Sequence, residues 1–206
     1  MTDLSKRLAS EKRFKYFAMF AMCLSLFFVI ILMLKIFTTG SGAFIRTTIE
    51  ASVYFDPSAI EVTNESSVKA INKESYVNLA DQIVKDNHPN LSDEKFILVR
   101  EMYTRKFDFQ LRDYIASDPN IIGKTVTMEI TASSDLDQIV KGNYPRDVPE
   151  AQRKINDYQL SVLDSLDADG KISSTFNLWF FTNGDSRDPE TAGILGALMG
   201  SFYAPV

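Results

Sequence analysis

Hydrophobic residues occur in three patterns along the chain, and each pattern predicts a different element. The most prominent is an unbroken apolar run, Phe17 to Leu34, which carries no charged side chain. At 1.5 Å of rise per residue, a helix of this run is about 27 Å long, close to the roughly 30 Å hydrocarbon core of a bilayer. Tyr16 and Phe37 flank the run, where the headgroup region favours aromatic side chains. The sequence therefore predicts a transmembrane helix over residues 16–37.

The second pattern is a strict alternation of apolar and polar residues, which predicts half-buried strands. It is clearest from Phe44 to Phe55, where every second residue from Ile45 faces one side. Shorter alternations predict a second strand at Val126–Ile130 and a third from Ile172 to Phe180.

The third pattern is apolar spacing of three and four residues, which predicts amphipathic helices that pack on one core. We expect such helices around Tyr76–Val84, Phe96–Tyr103 and Phe107–Ile115. Pro149 is expected to open a longer helix that Gly170 ends as a C-terminal cap. The predicted fold class is an α+β domain, mostly helical with a small sheet, behind one transmembrane helix.

The C-terminal end has a different composition from the rest of the predicted domain. Asp188-Pro189-Glu190 is a typical helix start, and residues 191–206 carry no charge. Ala192, Gly196 and Gly200 have the small-xxx-small spacing that lets membrane helices approach closely. We expect residues 188–206 to be the start of a second, truncated transmembrane helix. The alternative is a soluble helix docked on the core, which the glycines disfavour because each costs about 1 kcal/mol in a helix.

The basic residues on the two sides of the apolar run predict its orientation in the membrane. Residues 1–16 carry five basic and two acidic side chains, whereas only Lys35 and Arg46 are basic near the other end of the run. Basic residues stay on the cytoplasmic side. We therefore expect a bacterial inner-membrane protein with a cytoplasmic basic segment at 1–15 and a periplasmic domain at 38–187. The small residues 40–43 leave a cleaved signal peptide as the alternative, but the 18-residue run is longer than a usual signal core of about 7–15 residues.

The predicted exported part is acidic, with 16 basic and 25 acidic side chains from Thr38 to Val206. A domain of this charge is not steered toward nucleic acid or anionic lipid. The one cysteine, Cys23, lies inside the apolar run, so no intramolecular disulfide can stabilise the domain.

We find no pattern that predicts catalysis or a bound cofactor or metal. The segment from Asp164 to Lys171 resembles a calcium loop, but Phe176 stands where the bidentate glutamate should be. His88, the one histidine, is expected to be a solvated turn residue. Nucleophile, phosphate-loop and paired-cysteine motifs are absent from the sequence. We therefore expect a protein that is not an enzyme.

One polar cluster merits a functional hypothesis. It lies between an aromatic segment and the glycine-rich end. The residues singled out there are Trp179, Asp185, Ser186, Arg187 and Glu190. They fit an ordinary turn near the membrane, with Trp179 and Phe181 in the interface. The functional alternative is a hinge or contact patch at the mouth of a transport path.

The run from Phe176 to Phe202 resembles the segment that enters the second membrane helix of phosphate ABC importer permeases of the PstA type. The residues that carry the resemblance are Phe176-Asn177, Phe180-Phe181, Gly184 to Arg187, Pro189-Glu190 and the small-residue series from Ala192 to Ser201. The same family is matched upstream by Glu11 to Phe44, Thr47, Phe55-Asp56-Pro57, Tyr103, Gln110 to Asp113, Asp118-Pro119 and Ile122-Gly123. There, a long domain is inserted between the first two membrane helices.

The resemblance implies that the chain is the N-terminal part of such a permease and performs no covalent chemistry. It also implies three partners besides the lipid bilayer: a second permease subunit, an ATPase subunit and a periplasmic phosphate-binding protein. The cytoplasmic coupling loop that docks the ATPase in these permeases is not found in this sequence. The alternative is a stand-alone, membrane-anchored periplasmic binding or sensor module.

Overall fold

The structure is a computed structural model that describes residues 2–57, 60 and 73–203. It divides into two units, Met1–Gly42 and Ala43–Val206. The predicted end of the second membrane helix, residues 204–206, lies outside the described residues.

The first unit is a long apolar helix, α1 (Thr2–Gly40). Among the described residues, the stretch Glu11–Phe44 is long and apolar enough to span a membrane, and its most apolar part buries nothing against the protein. Its length and composition are compatible with a membrane anchor, and a signal sequence near an N-terminus has the same properties.

The second unit is mostly helical with one small sheet. A short 3-10 turn, Ser41–Phe44, leads into it. Its helices and strands are β1 (Ile45–Tyr54), α2 (Lys73–Asn87), α3 (Asp93–Arg100), α4 (Phe107–Ser117), β2 (Thr125–Thr131), α5 (Ser134–Val140), α6 (Asp157–Ala168), β3 (Ile172–Phe176), α7 (Trp179–Thr182) and α8 (Leu195–Tyr203). The α+β fold class is therefore confirmed for the described part of the domain.

The sheet is antiparallel, in the order β2-β1-β3. The first strand is central, and its Thr48 pairs with Thr131 on one side and Ser173 on the other. The predicted alternation is confirmed, because Thr47, Ile49, Ala51, Val53 and Phe55 are all buried. Thr48, on the other face of the strand, is buried as well, and its hydroxyl donates to Glu129 Oε2 over 3.1 Å.

The core lies between this sheet and the helices. α2 packs against β1 and α4, and the face predicted for it (Tyr76, Leu79, Ala80, Ile83 and Val84) is buried throughout. Phe107 is also fully buried and stacks on Tyr103 with ring centroids 5.7 Å apart. The helical spacing therefore identified the faces that form the core.

The long helix predicted from Pro149 is wrong at its start. Glu150–Gln152 forms a 3-10 turn, and α6 begins only at Asp157 because Asn156 and Gln159 form a capping box. The C-terminal end of α6 is as predicted. Gly170 has a φ of 69° and its N–H donates to Asp167, while Lys171 N donates to Leu166 O, which is a Schellman motif.

The third predicted strand is too long. β3 ends at Phe176, and the following residues turn into α7, so Leu178 and Phe180 do not continue the alternation. β3 ends there because the strand it pairs with, β1, begins only at Ile45. Asn177 donates its backbone N–H to Phe44 O, just before the first residue of β1, and no strand continues beyond that point.

The prediction for His88 is right about the turn, which follows α2, and wrong about the solvation of its side chain. Its Nε2 lies 3.0 Å from the Tyr103 hydroxyl oxygen, and the side chain is half-buried. Burial lowers the pKa of His88, and the Lys171 charge lowers it further. The segment before Pro89 therefore packs on the domain.

This lowered pKa gives an expected pH dependence. The unfolded chain protonates His88 near pH 6.5, whereas the folded chain resists protonation until a lower pH. The free energy of unfolding should therefore fall as the pH drops below about 6.5. His88→Gln should flatten this part of the profile in urea titrations at several pH values. An unchanged slope in that variant would contradict the assignment to His88.

Candidate functional site

The polar cluster predicted before the C-terminal helix forms a turn with its own hydrogen bonds. The buried Thr191 is at its centre. Its hydroxyl lies 3.0 Å from the Ser186 hydroxyl and donates to Asp188 O over 3.1 Å. Asn183 Nδ2 donates to Thr191 O over 3.0 Å. We call residues 183–191 the polar turn. These contacts fix its shape.

Hydrogen bonds join the polar turn to the turn that precedes α4. Lys106 Nζ donates to Ser186 Oγ over 2.6 Å, and the buried Thr104 hydroxyl donates to Glu190 Oε1 over 2.9 Å. Arg105 reaches Asp188 at 4.0 Å, but its side chain is 89% exposed, so this ion pair adds little. The segment leading into α8 is therefore held by two polar contacts from a distant part of the sequence.

A cleft of about 710 Å³ opens beside this junction. Its walls come from the end of α3, the start of α5, the segment before α6 and the polar turn. The charged residues among them are Arg100, Arg105, Lys154, Arg187, Glu101, Asp135, Asp188 and Glu190. Four basic and four acidic groups balance, so the cleft suits a polar partner surface of mixed charge better than a free anion.

Three of the basic residues differ in whether an ion pair holds them. Arg100 Nε donates to Asp81 Oδ1 over 3.0 Å, and its guanidinium carbon lies 5.5 Å from the centroid of Phe107. Among the residues described here, no ion pair involves Lys154 or Arg187. Tyr103 lies at the base of the cleft, and burial raises the pKa of its hydroxyl.

Side chains that bind metals are not clustered in the part of the chain that the structure describes. No group of three or more histidine, cysteine, aspartate or glutamate side chains there could hold a metal ion. The cleft contains no histidine or cysteine. It can offer hydrogen bonds and charges of both signs to a partner.

The structure separates the five residues predicted as a hinge or contact patch. Ser186 and Glu190 join the polar turn to the α4 side, and Arg187 lines the cleft. Asp185 is exposed. Trp179 lies in α7, where the guanidinium carbon of Arg46 sits 4.1 Å from its ring centroid. Burial lowers the pKa of Arg46, and the Glu129 charge partly offsets this.

The helix predicted to start at Asp188 is interrupted. Pro189–Thr191 is a 3-10 turn, Ala192 is extended, and α8 starts at Leu195. Ala192 therefore does not share a helix face with Gly196 and Gly200. A packing role for these two glycines stays a prediction.

The sequence reasoning missed the cleft walls and Gly193. Arg100, Lys154 and the start of α5 are far apart in the sequence, and only the fold brings them together. A Cβ added at Gly193 would lie 2.3 Å from Asn183 O and 2.6 Å from Trp179 O. No local pattern signals such a close approach between two backbone segments.

Comparison with known proteins gives one match. No curated protein and no solved structure matches the chain. A family model described as a domain of unknown function, DUF3333, matches residues 1–150. This range covers the apolar helix and the domain as far as the segment before α6, which is more than half of the chain. The chain therefore belongs to the DUF3333 family.

Proposed function

We propose that the chain is the N-terminal part of the membrane permease subunit of an ATP-driven phosphate importer. It anchors a periplasmic domain and presents it beside the transport path. The observation that carries the proposal is the character of α8, which has no charge and no buried residue, with Phe202 78% exposed. The domain is thus preceded by one exposed apolar helix and followed by another, as expected for an insertion between two membrane helices.

The exposure of α8 also bears on the alternative of a soluble helix. A soluble C-terminal helix should bury its apolar side chains against the core. Instead, Leu198 and Met199 are about half exposed, and a Cβ at Gly200 would meet nothing within 4 Å. The free side of Gly200 supports a helix that is completed by a neighbour in the membrane.

In this proposal, phosphate crosses the pore without covalent chemistry, and a partner ATPase subunit supplies the energy. The N-terminus is cytoplasmic and the domain is periplasmic, in the bacterial inner membrane. The balanced cleft beside the polar turn suits contact with the periplasmic binding protein or the second permease subunit. The acidic domain itself is a poor trap for free phosphate because it repels anions.

A second function is supported by a different observation. Residues from Ala43 onward form a compact unit distinct from the N-terminal helix. A stand-alone binding or sensor module on a membrane anchor would have the same division. The two proposals differ in the surroundings of α8, which are lipid in the permease and water in the module.

Cysteine labelling separates the two. Cys23 is the one cysteine, so a Cys23→Ser chain provides the background. Single cysteines at Leu198 and Phe202 should resist a membrane-impermeant thiol reagent in spheroplasts, because the permease places them in lipid. Ile97→Cys is the control, since Ile97 is 58% exposed on α3 and should react fully. Uniform labelling at all three positions would favour the module.

The importer part of the proposal is tested in the same membranes. After detergent extraction, a tagged chain should co-purify with an ATPase subunit and a second permease subunit. If α8 is protected but neither subunit co-purifies, the chain has a second membrane segment without belonging to an importer. Labelling of α8 therefore tests the second membrane segment, and co-purification tests membership of an importer independently of it.

A further inference from the structure

An exposed aromatic patch lies at the end of the domain where the chain enters from α1. Its members are Phe44, Phe176, Leu178, Trp179, Phe180 and Phe181. The Phe44 and Phe181 rings stack at 5.8 Å, and Phe176 stacks on the same Phe181 at 5.8 Å. We call this group the aromatic patch. Its phenylalanine rings pack against one another and not inside the core.

The patch is too exposed to be part of the domain interior. Phe176 is 62% exposed, Leu178 60% and Phe181 40%. Scattered apolar residues on a surface are normal, but a contiguous group of large aromatic side chains marks an interaction site. No charged side chain occurs from Ile172 to Gly184, so no charge interrupts the patch along this segment.

Two observations identify the partner as a bilayer. Phe44 follows Gly40, the last residue of α1, by four positions, so the covalent chain keeps the patch near the membrane surface wherever α1 spans. The composition also fits the headgroup region, where tryptophan is enriched and phenylalanine and leucine side chains insert.

We infer that the aromatic patch inserts into the headgroup region of the bilayer and holds the domain against the membrane surface. This inference rests on the membrane anchor of the proposed function. It adds a second membrane contact, which fixes the orientation of the cleft relative to the lipid. Bare tethering by α1 would leave the domain free to tumble.

The chain carries its own probe, because Trp179 is its one tryptophan. The full chain is reconstituted into phosphatidylcholine vesicles, and flotation shows whether it is membrane-bound. We expect phosphatidylcholine with brominated acyl chains to quench Trp179, more strongly when the bromines lie near the headgroup than near the chain end. Aqueous iodide should quench Trp179 less in vesicles than in detergent-free denaturant.

A matched pair of variants tests the patch itself. Phe176→Ser combined with Phe181→Ser should lower the quenching of Trp179 by brominated lipid. Ile97→Ser removes a side chain of similar exposure on α3 and should leave the quenching unchanged. Because all three side chains are well exposed, thermal melting should show that both variants remain folded.

Each other outcome overturns the inference in a distinguishable way. A chain that floats but whose Trp179 is quenched by iodide and not by brominated lipid has an anchor without a patch contact. A chain that floats, is unquenched by both, and shows a concentration-dependent blue shift of its emission covers the patch with a second copy. A chain that does not float lacks the anchor, and the proposed function fails with the inference.

Discussion

Replacing Asp137 by alanine is expected to lower the free energy of unfolding by about 3 kcal/mol, the largest single effect we foresee outside the apolar core. Asp137 is buried on α5, and its Oδ1 accepts the backbone N–H of Thr47 over 2.8 Å. Its Oδ2 lies 2.5 Å from Lys141 Nζ, which also donates to Ile45 O. The alanine variant therefore leaves a buried strand N–H without its acceptor and removes the ion-pair partner of Lys141.

Urea denaturation of the full chain in detergent micelles, followed by Trp179 emission, measures this loss. Asp137→Asn is the matched control, because its amide oxygen can still accept from Thr47 while the charge is removed. We expect the asparagine variant to lose about 1 kcal/mol. Equal stability of the alanine variant and the natural chain would show that the side chain does not make these contacts in solution.

Gly193→Ala is expected to release the start of α8 from α7. The new Cβ would lie within 2.6 Å of two backbone oxygens, and backbone cannot move aside as a flexible side chain can. Three amides depend on this approach: Gly193 N donates to Gly184 O, Ile194 N to Phe180 O and Leu195 N to Asn183 O. A cost of about 2 kcal/mol corresponds to roughly 30-fold faster hydrogen exchange at these amides.

Gly196→Ala is the control in the same segment. Its Cβ would lie 3.5 Å from the nearest atoms, which is ordinary contact, and alanine favours a helix over glycine by about 1 kcal/mol. Exchange at the three amides should be unchanged or slower. If both variants exchange alike, the close approach at Gly193 is not what holds this segment.

The sequence predicted most successfully where one local pattern decides the outcome. Ile49 and Val53 alternate with polar residues, and both are buried in β1 as that pattern requires. The Gly170 cap was likewise predictable, because only a residue tolerant of positive φ fits after α6.

The errors occurred where two local signals competed or where a distant segment decided. Pro149 and Asn156 are both plausible helix starts, and the capping box at Asn156 prevailed. The alternation through Phe180 is a genuine strand pattern, but β1 provides no partner beyond Phe44.

The candidate site was only partly predictable for the same reason. Arg187 and Glu190 lie in a recognisable polar segment, so composition alone drew attention to them. Arg100 and Lys154 are basic residues of the kind expected on any protein surface. Nothing near them in the sequence indicates that the fold places both on one cleft. Charge balance in the cleft is a property of tertiary structure and has no signal in the sequence.

The order of the strands has a consequence for biosynthesis. β1 is made first, yet it is the central strand, and its partners lie about 80 and 125 residues later in the chain. A ribosome delivers the chain from its N-terminus, so β1 has no partner on either edge until residues 125–131 emerge, and the sheet is complete only after residue 176. While residues 55–131 are made, the chain therefore carries an unpaired, half-apolar strand directly behind its apolar helix. In this interval we expect the need for a chaperone to be greatest.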